Sequence, residues 1–408
     1  MLAPEAAGGA PDAVDGPLTA RRFDRWAGPI GAGLAGVGLL VLALLLLGAG
    51  SSVWGRTSTG WAYDFEAYYN AAQRLVEFGS PYQAATLNGP FRPGPYGLYL
   101  YAPPLALLLV PLTWISDNAA AFTWLAIRIG LLAATCALMP VQRWIRAASF
   151  GIAALSAPFL LDLNLGNISL VVTFLGVAVW RWLDRPVAGV VLAASLMLRP
   201  TMGVVALWWL ARGVWRPVAA TAVTALAIVA LTLPFMDLDV WYQYATVLGH
   251  VSNVTGVRSN VDLGSAVLRF GGPEGAASVA LFAGYAAAVA AILLSLSRDR
   301  ELSYVVTLTA TLLMAPLLWD HYLTHLIVPA AFLASRGRPW GLLLPLAAWL
   351  PFALAAPLND SAGAMGGLLS VVVLVAMFLP FAAPDRGEPA GTFLDRVRAR
   401  RATRPARA

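Results

Sequence analysis

Lysine is missing altogether: the 27 Lys and Arg positions in these 408 residues are all arginine. Cysteine is nearly missing too. The single Cys136 sits inside an apolar run, so neither a disulfide framework nor a cysteine-based metal site can be built. The three histidines, His250, His321 and His325, lack zinc-motif spacing, and no metal site is expected. Only 12% of residues are charged, against about a quarter in an ordinary soluble domain. The net charge of +6 comes from arginines set between apolar runs and in the C-terminal tail, as in membrane anchors, so nucleic acid is excluded as a partner. No clear internal repeat is present, so the inverted-repeat mark of many transporters is missing.

What is present is apolar length. Hydrophobic residues make up 59% of the chain, and the run 28–50 (GPIGAGLAGVGLLVLALLLLGAG) is uncharged. It is long enough to cross a bilayer core of about 30 Å, and similar runs recur to residue 383. The expectation is an all-α polytopic membrane bundle of about twelve spans (about 11–13). Arg21, Arg22 and Arg25 precede the first run, which puts the N-terminus in the cytoplasm. Residues 51–100 hold no spanning run and form a large first extracytoplasmic loop. Arg143 and Arg146, Arg181 and Arg185, Arg212 and Arg216, Arg298 and Arg300, and Arg336 and Arg338 mark later cytoplasmic turns. Parity then requires an odd number of crossings between the first loop and Arg143. The short run 102–115, which begins with Pro103-Pro104, is therefore expected to be a partial or re-entrant helix, the alternative being that Arg143 and Arg146 are interfacial and outside. Arg128, inside the run 119–140, must face protein or water. Residues 1–28 are expected to be a disordered cytoplasmic tail, 29–383 one membrane domain, and 384–408 a basic cytoplasmic tail.

The segment WAYDFEAYYNAAQRLVEFGSPY (61–82) opens the first loop. Its pattern predicts an amphipathic helix from Asp64 to Phe78, with Phe65, Tyr69, Ala72 and Val76 on the apolar face. Gly79 and Ser80-Pro81 end it. Asp64 at its start can be an N-cap, a general base fixed at the lip of the bundle, or both. The terminal N–H donors would lower its pKa, so basicity would have to come back from burial or a bound substrate. Tyr68 and Tyr101, in and after this segment, belong to an interfacial aromatic belt or to a surface that stacks on sugar rings.

Four polar constellations interrupt the later apolar runs. Asp162, Asn164 and Asn167 lie at an outward turn and can cap the loop or read sugar hydroxyls. Arg199, followed by the helix-breaking Pro200, can snorkel or hold a phosphate. Trp319, Asp320, His321, Tyr322 and His325 break another run. His321 and His325 are four apart, on one face of a helix, and His321 is the favoured donor to a phosphate or leaving group. The loop 236–272 reads as a second amphipathic cover, and its Arg258 is a solvated charge or a weaker phosphate candidate.

In order and spacing, YDFEAYYNAAQRLVEFGSPY, YAPPLALLLVPL, LGNISLVV, AGVVLAASLMLRPTMGV and APLLWDHYL resemble glycosyltransferase family 87. Its members are GT-C-type membrane enzymes that use polyprenyl-phosphate sugars. They include actinobacterial mannosyltransferases of phosphatidylinositol mannoside assembly and arabinofuranosyltransferases of cell-wall polymers. The resemblance implies a GT-C-like fold and transfer of a hexosyl group, mannosyl in the first place, from a polyprenyl-phosphate sugar to a glycolipid or glycan acceptor. It implies inversion, Asp64 as base, and Arg199 and His321 on the donor phosphate. Tyr68, Tyr101, Asn167, Trp319, Tyr322 and Arg258 would meet acceptor or sugar. It further implies no cofactor, a monomer among membrane lipids, and an active site on the outer side of the plasma membrane. Two positions depart from the family pattern: Asn167 stands where a glutamine is usual, and Arg199 where many members have lysine. A lipid-linked-sugar transporter or flippase and a polymer ligase are the rival classes.

Overall fold

The structure, a computed structural model, describes residues 18–54, 61–89, 98–251, 260–350 and 361–384. Arg258, the turn at Asn359-Asp360, residues 1–17 and the basic tail beyond 384 lie outside the described residues. No strand occurs among the described residues. The chain opens with α1 (Leu18–Trp54), α2 (Tyr63–Phe78), the single turn α3 (Ala84–Leu87) and α4 (Pro103–Leu109). Next come α5 (Asp117–Leu138), α6 (Arg143–Leu155), α7 (Ala157–Leu165), α8 (Ser169–Arg181) and α9 (Pro186–Leu198). Then follow α10 (Gly203–Ala211), α11 (Trp215–Thr232), α12 (Asp239–Val251) and α13 (Leu263–Arg269). The chain closes with α14 (Glu274–Ser295), α15 (Arg300–Leu313), α16 (Ile327–Ser335) and α17 (Ser361–Phe378).

The all-α membrane bundle expected from the sequence is the fold. Helix lengths give a different picture of the spans. Among the described residues four helices, α1, α5, α11 and α14, are long and apolar enough to cross a membrane unaided. α6 and α7 make a fifth only as a pair bent by 65°. The other apolar helices are 10–17 residues long, so about twelve crossings are not reached by helix length alone. The breaks fall where the sequence inserts proline or polar residues. Pro158 starts α7 after the bend, Pro200 follows the end of α9, and a 3-10 turn (Asp320–Leu326) precedes α16. Such breaks survive at membrane depth when protein covers the freed backbone groups. Here the cover is thorough, since Leu302 to Leu313 of α15 and Ile327 to Ala334 of α16 are all buried.

Glycines let two helices touch backbone to backbone. A Cβ at Gly31 would meet the Trp144 carbonyl at 2.6 Å, and one at Gly38 would meet the Gly151 Cα at 2.8 Å. α1 and α6 therefore run side by side in the same direction. The starts of α1 and α6 share one end of the bundle. The opposite end gathers the start of α2, the α7–α8 turn, the end of α9 and the turn before α16. Two arginines are paired with acids at the first end: Arg300 with Asp184 at 2.6 Å, and Arg336 with Asp299 and Glu301 at 2.9 and 3.2 Å.

The short run 102–115 is too short to span and sits at the end covered by α2. The Ala102 N–H donates to the Met197 carbonyl at 3.2 Å, which anchors the start of α4 beside the end of α9. A 3-10 turn (Val110–Trp114) continues α4, and the carbonyl of Ile115 accepts from Tyr69 Oη of α2 at 3.0 Å. Both ends of this segment lie at the end occupied by α2. Between them the segment packs along α2 as one short apolar helix.

α2 covers that end. Its buried stripe is Phe65, Tyr68, Tyr69, Ala72 and Leu75, while Val76 is 63% exposed. The sequence pattern had put Val76 on the apolar face. The stripe through Leu75 obeys the same helical period and is the one that packs against α4 and α5. Gly79, at φ 74°, ends the helix, and its N–H donates to the Leu75 carbonyl. α12 extends the cover, as expected. Ser80 Oγ donates to Gln243 Oε1 at 2.6 Å, His250 Nδ1 lies 3.0 Å from the Thr86 carbonyl, and Tyr82 stacks on Tyr244.

Candidate active site

Asp64 owes its position to the turn before it. Ala62 adopts a left-handed conformation (φ 59°) and donates its N–H to the Asn164 carbonyl at 2.7 Å. An alanine held there stores about 1–2 kcal/mol of strain, which the surrounding contacts must offset. Asp64 does not cap the helix. The N-cap position is Ala62, with no side-chain cap. The Asp64 carboxylate turns inward instead, 7% exposed, and its Oδ2 accepts from Asn167 Nδ2 at 2.8 Å. Its Oδ1 accepts no hydrogen bond from the described residues. Burial pushes the carboxyl above the usual carboxylate range, and the pull of His321, the Asn167 hydrogen bond and Arg128 does not overcome it. The lowering expected from a helix start is thus outweighed by desolvation.

Asn167 sits where α7 gives way to α8. Gly166, at φ 76°, makes that turn and presses on α2: a Cβ there would lie 2.6 Å from the Phe65 Cβ. Phe65 in turn stacks on Trp124 of α5, whose Nε1 donates to the Gly166 carbonyl at 2.8 Å. Gly166→Ala is therefore expected to fold with α2 displaced and to lose about 10²-fold in kcat/KM, because a shift of about 1 Å at a reacting group costs that much. Kinetics alongside a thermal melt in detergent check it.

From Asn167 the hydrogen bonds continue. Asn167 Oδ1 accepts from the Ser169 N–H at 2.8 Å and from Ser169 Oγ at 2.7 Å. Ser169 Oγ accepts from Arg199 Nη2 at 3.1 Å. Arg199 is held at the break after α9, as Pro200 led one to expect, and its guanidinium lies 3.6 Å over the Tyr322 ring. Arg199 is only 6% exposed, and its Nη1 has no hydrogen-bond partner. His321, fully buried, sets Nδ1 at 3.2 Å from Asp320 Oδ1 and leaves Nε2 without a partner. With Nδ1 beside Asp320, Nε2 is the ring nitrogen left to meet a ligand. Trp319 and Tyr322 meet the His321 ring edge-on at 5.5 and 5.2 Å, and Trp319 Nε1 is also unpartnered. Tyr68 donates to Tyr101 Oη at 3.1 Å, and Tyr101 lies within electrostatic reach of Asp64 and Arg199.

Most residues singled out in the sequence thus meet in one place: Asp64, Tyr68, Tyr101, Asn167, Arg199, Trp319, His321 and Tyr322. Asn167 spends its amide oxygen on Ser169 and an amide N–H on Asp64. Asp162 does not reach for a hydroxyl; it is fully buried and paired with Arg128, which is how Arg128 faces protein. His321 and His325 do not share a face, because the segment is a 3-10 helix with three residues per turn. His325 Nδ1 lies 2.9 Å from Thr173 Oγ1. Among the described residues no group of three or more His, Cys, Asp or Glu side chains could hold a metal ion. Ser169 was missed. A serine in an apolar helix start carries no signal of its own, and only its place two residues after Asn167 pointed to it.

A buried carboxylate and a buried guanidinium with an open N–H, joined at one end of an all-helical membrane bundle, suit transfer of a group between a donor and an acceptor. That is the layout of a membrane-embedded transferase. The sequence model of glycosyltransferase family 87 matches residues 99–318, more than half of the chain. The protein belongs to glycosyltransferase family 87 and is a glycosyltransferase, with a sugar donor and an acceptor as substrates. The match contains Tyr101, Asn167, Ser169 and Arg199, while Asp64 precedes it and Trp319 to Tyr322 follow it. Neither the comparison with curated proteins nor that with solved structures returns a match.

Proposed function

We propose that this glycosyltransferase moves a hexosyl group, mannosyl by preference, from a polyprenyl-phosphate sugar to a glycolipid or glycan alcohol, with inversion. The donor enters from the lipid with its phosphate toward Arg199 Nη1 and His321 Nε2. Both are buried polar atoms without protein partners, and such groups are costly unless a ligand meets them. Asp64 Oδ1 takes the proton of the acceptor hydroxyl as the alcohol oxygen bonds to the anomeric carbon. The bond from that carbon to the phosphate oxygen breaks, and the lipid phosphate leaves against the Arg199 guanidinium and the His321 ring. Tyr68, Tyr101, Trp319 and Tyr322 supply ring faces and hydroxyls for the sugar. The reaction would take place on the extracytoplasmic side of the plasma membrane, with the protein acting as a monomer. The observation that carries this assignment is the hydrogen-bonded line from the Arg199 guanidinium to the Asp64 carboxylate.

The test uses purified protein and a polyprenyl phosphate carrying radiolabelled mannose, with an envelope lipid extract as acceptor pool. Label should pass to the extract, and lipid phosphate should be released only when acceptor is present. Arg199→Ala should raise the donor KM about ten- to a hundredfold, the worth of a hydrogen bond to a charged group. An unchanged donor KM removes Arg199 from the site. Transfer from the arabinofuranosyl donor alone changes the sugar, and transport without any glycosyl product sinks the assignment.

A further inference from the structure

We propose that Ser169 is a positioning residue that keeps the phosphate-binding arginine and the carboxylate base in register. This rests on the roles given above to Asp64 and Arg199.

The geometry leaves Ser169 little choice. Asn167 Oδ1 faces two donors, the N–H and the Oγ of Ser169, at 2.8 and 2.7 Å. That fixes which end of the amide is oxygen, so the NH₂ end must face Asp64 Oδ2. The serine has a single hydroxyl proton, and Asn167 takes it. Only lone pairs of Oγ remain for Arg199 Nη2, 3.1 Å away. Every donor in the line therefore points the same way, from Arg199 to Ser169 to Asn167 to Asp64. All four residues are buried, at 6%, 0%, 3% and 7% exposure. Hydrogen bonds aligned head to tail in a buried setting polarise one another. The four residues also come from separate elements: α2, the α7–α8 turn, the start of α8 and the end of α9. Among the described residues Ser169 is the one whose side chain joins Arg199 to Asn167.

The serine can be cut without removing the start of α8. In Ser169→Ala the backbone N–H still reaches Asn167 Oδ1, and only the two Oγ bonds are lost. Arg199 keeps its stack on Tyr322. A role in folding alone would lower the melting temperature and leave kcat and donor KM of the folded fraction unchanged.

The experiment is a double-mutant cycle on the full-length protein in detergent, with polyprenyl phosphate mannose as donor. Wild type, Ser169→Ala, Asn167→Ala and the double variant are compared in kcat, donor KM and melting temperature. Ser169→Cys is carried alongside; it keeps the side chain in place, weakens both bonds and should show the same pattern as alanine. Ser169→Ala should lower kcat about tenfold and raise donor KM about fivefold. Asn167→Ala should lower kcat and leave donor KM within about twofold. The double variant should be no slower than the slower single variant by more than about threefold, because one broken line cannot be broken twice. Losses that multiply, or Ser169 variants within about twofold of wild type in both constants, overturn the proposal. Asp64→Asn is the separating control. An active Asp64→Asn overturns the base assignment itself. An inactive Asp64→Asn with multiplying Ser169 and Asn167 losses overturns the link alone.

Discussion

Asp64→Asn is expected to fold, to bind the donor and to turn over about 10²- to 10⁴-fold more slowly than wild type, the range spanned by a lost general base. The amide keeps the shape of the carboxylate and can still meet Asn167, but it cannot take a proton from an alcohol. Wild type should show an acid limb in kcat/KM above the ordinary carboxylate value of about 3.9. Burial raises the Asp64 carboxyl, and His321, Asn167 and Arg128 bring it only part of the way back. Asp64→Asn should lack that limb. The stability consequence follows from the same shift. A carboxyl raised in the fold favours folding below its unfolded pKa and loses that contribution as pH rises through the folded value. Above that value the wild type carries a buried charge at a net cost, so Asp64→Asn should melt no lower than wild type and hold its melting temperature across that pH window. Melting curves and initial rates on one preparation check both. Near-normal rates in Asp64→Asn remove the carboxylate from the chemistry.

The sequence showed the class of fold plainly because the bilayer imposes it. Runs as apolar as 28–50 have few fates other than a membrane helix. The α2 helix, its glycine stop and the break at Arg199-Pro200 were legible for local reasons: helical period, a left-handed glycine and a residue that cannot continue a helix. What local pattern could not show was how helices face one another. Val76 fits an apolar stripe as well as Leu75 does, and only packing chooses between them. The spacing of His321 and His325 implied one face, but the tighter 3-10 winding puts them on different sides. The role of Asp64 was ambiguous for a similar reason. A carboxylate at a helix start caps it unless the preceding turn is already closed, and here the left-handed Ala62 closes it by bonding to Asn164, about a hundred residues away in sequence. The line through Asn167 and Ser169 is legible only once α2, α8 and α9 are brought together.

Beneath the line lies an ion pair whose loss should have the largest effect on stability. Arg128 of α5 and Asp162 of α7 are both fully buried and paired through Nη2 and Oδ2, and Arg128 Nη1 also donates to the Leu163 carbonyl at 3.2 Å. Four residues beyond Asp162 is Gly166, which is held to α5 a second time by Trp124. The pair therefore ties α5 to the end of α7 that presents Asn167 to Asp64. Arg128→Leu leaves a carboxylate buried without its partner, and it should destabilise the protein by about 3–5 kcal/mol. Arg128→Leu combined with Asp162→Leu removes both charges, and it should recover most of that loss, since a buried pair is worth little more than good apolar packing. Activity should not recover with stability. Without the guanidinium the Leu163 carbonyl keeps only the Gly166 N–H, and of the hydrogen bonds from α5 to the turn that aims Asn167 only that of Trp124 is left. Unfolding in detergent measures the first effect and kcat/KM the second. A double variant as unstable as Arg128→Leu would mean that the arginine acts through its backbone contact rather than through charge.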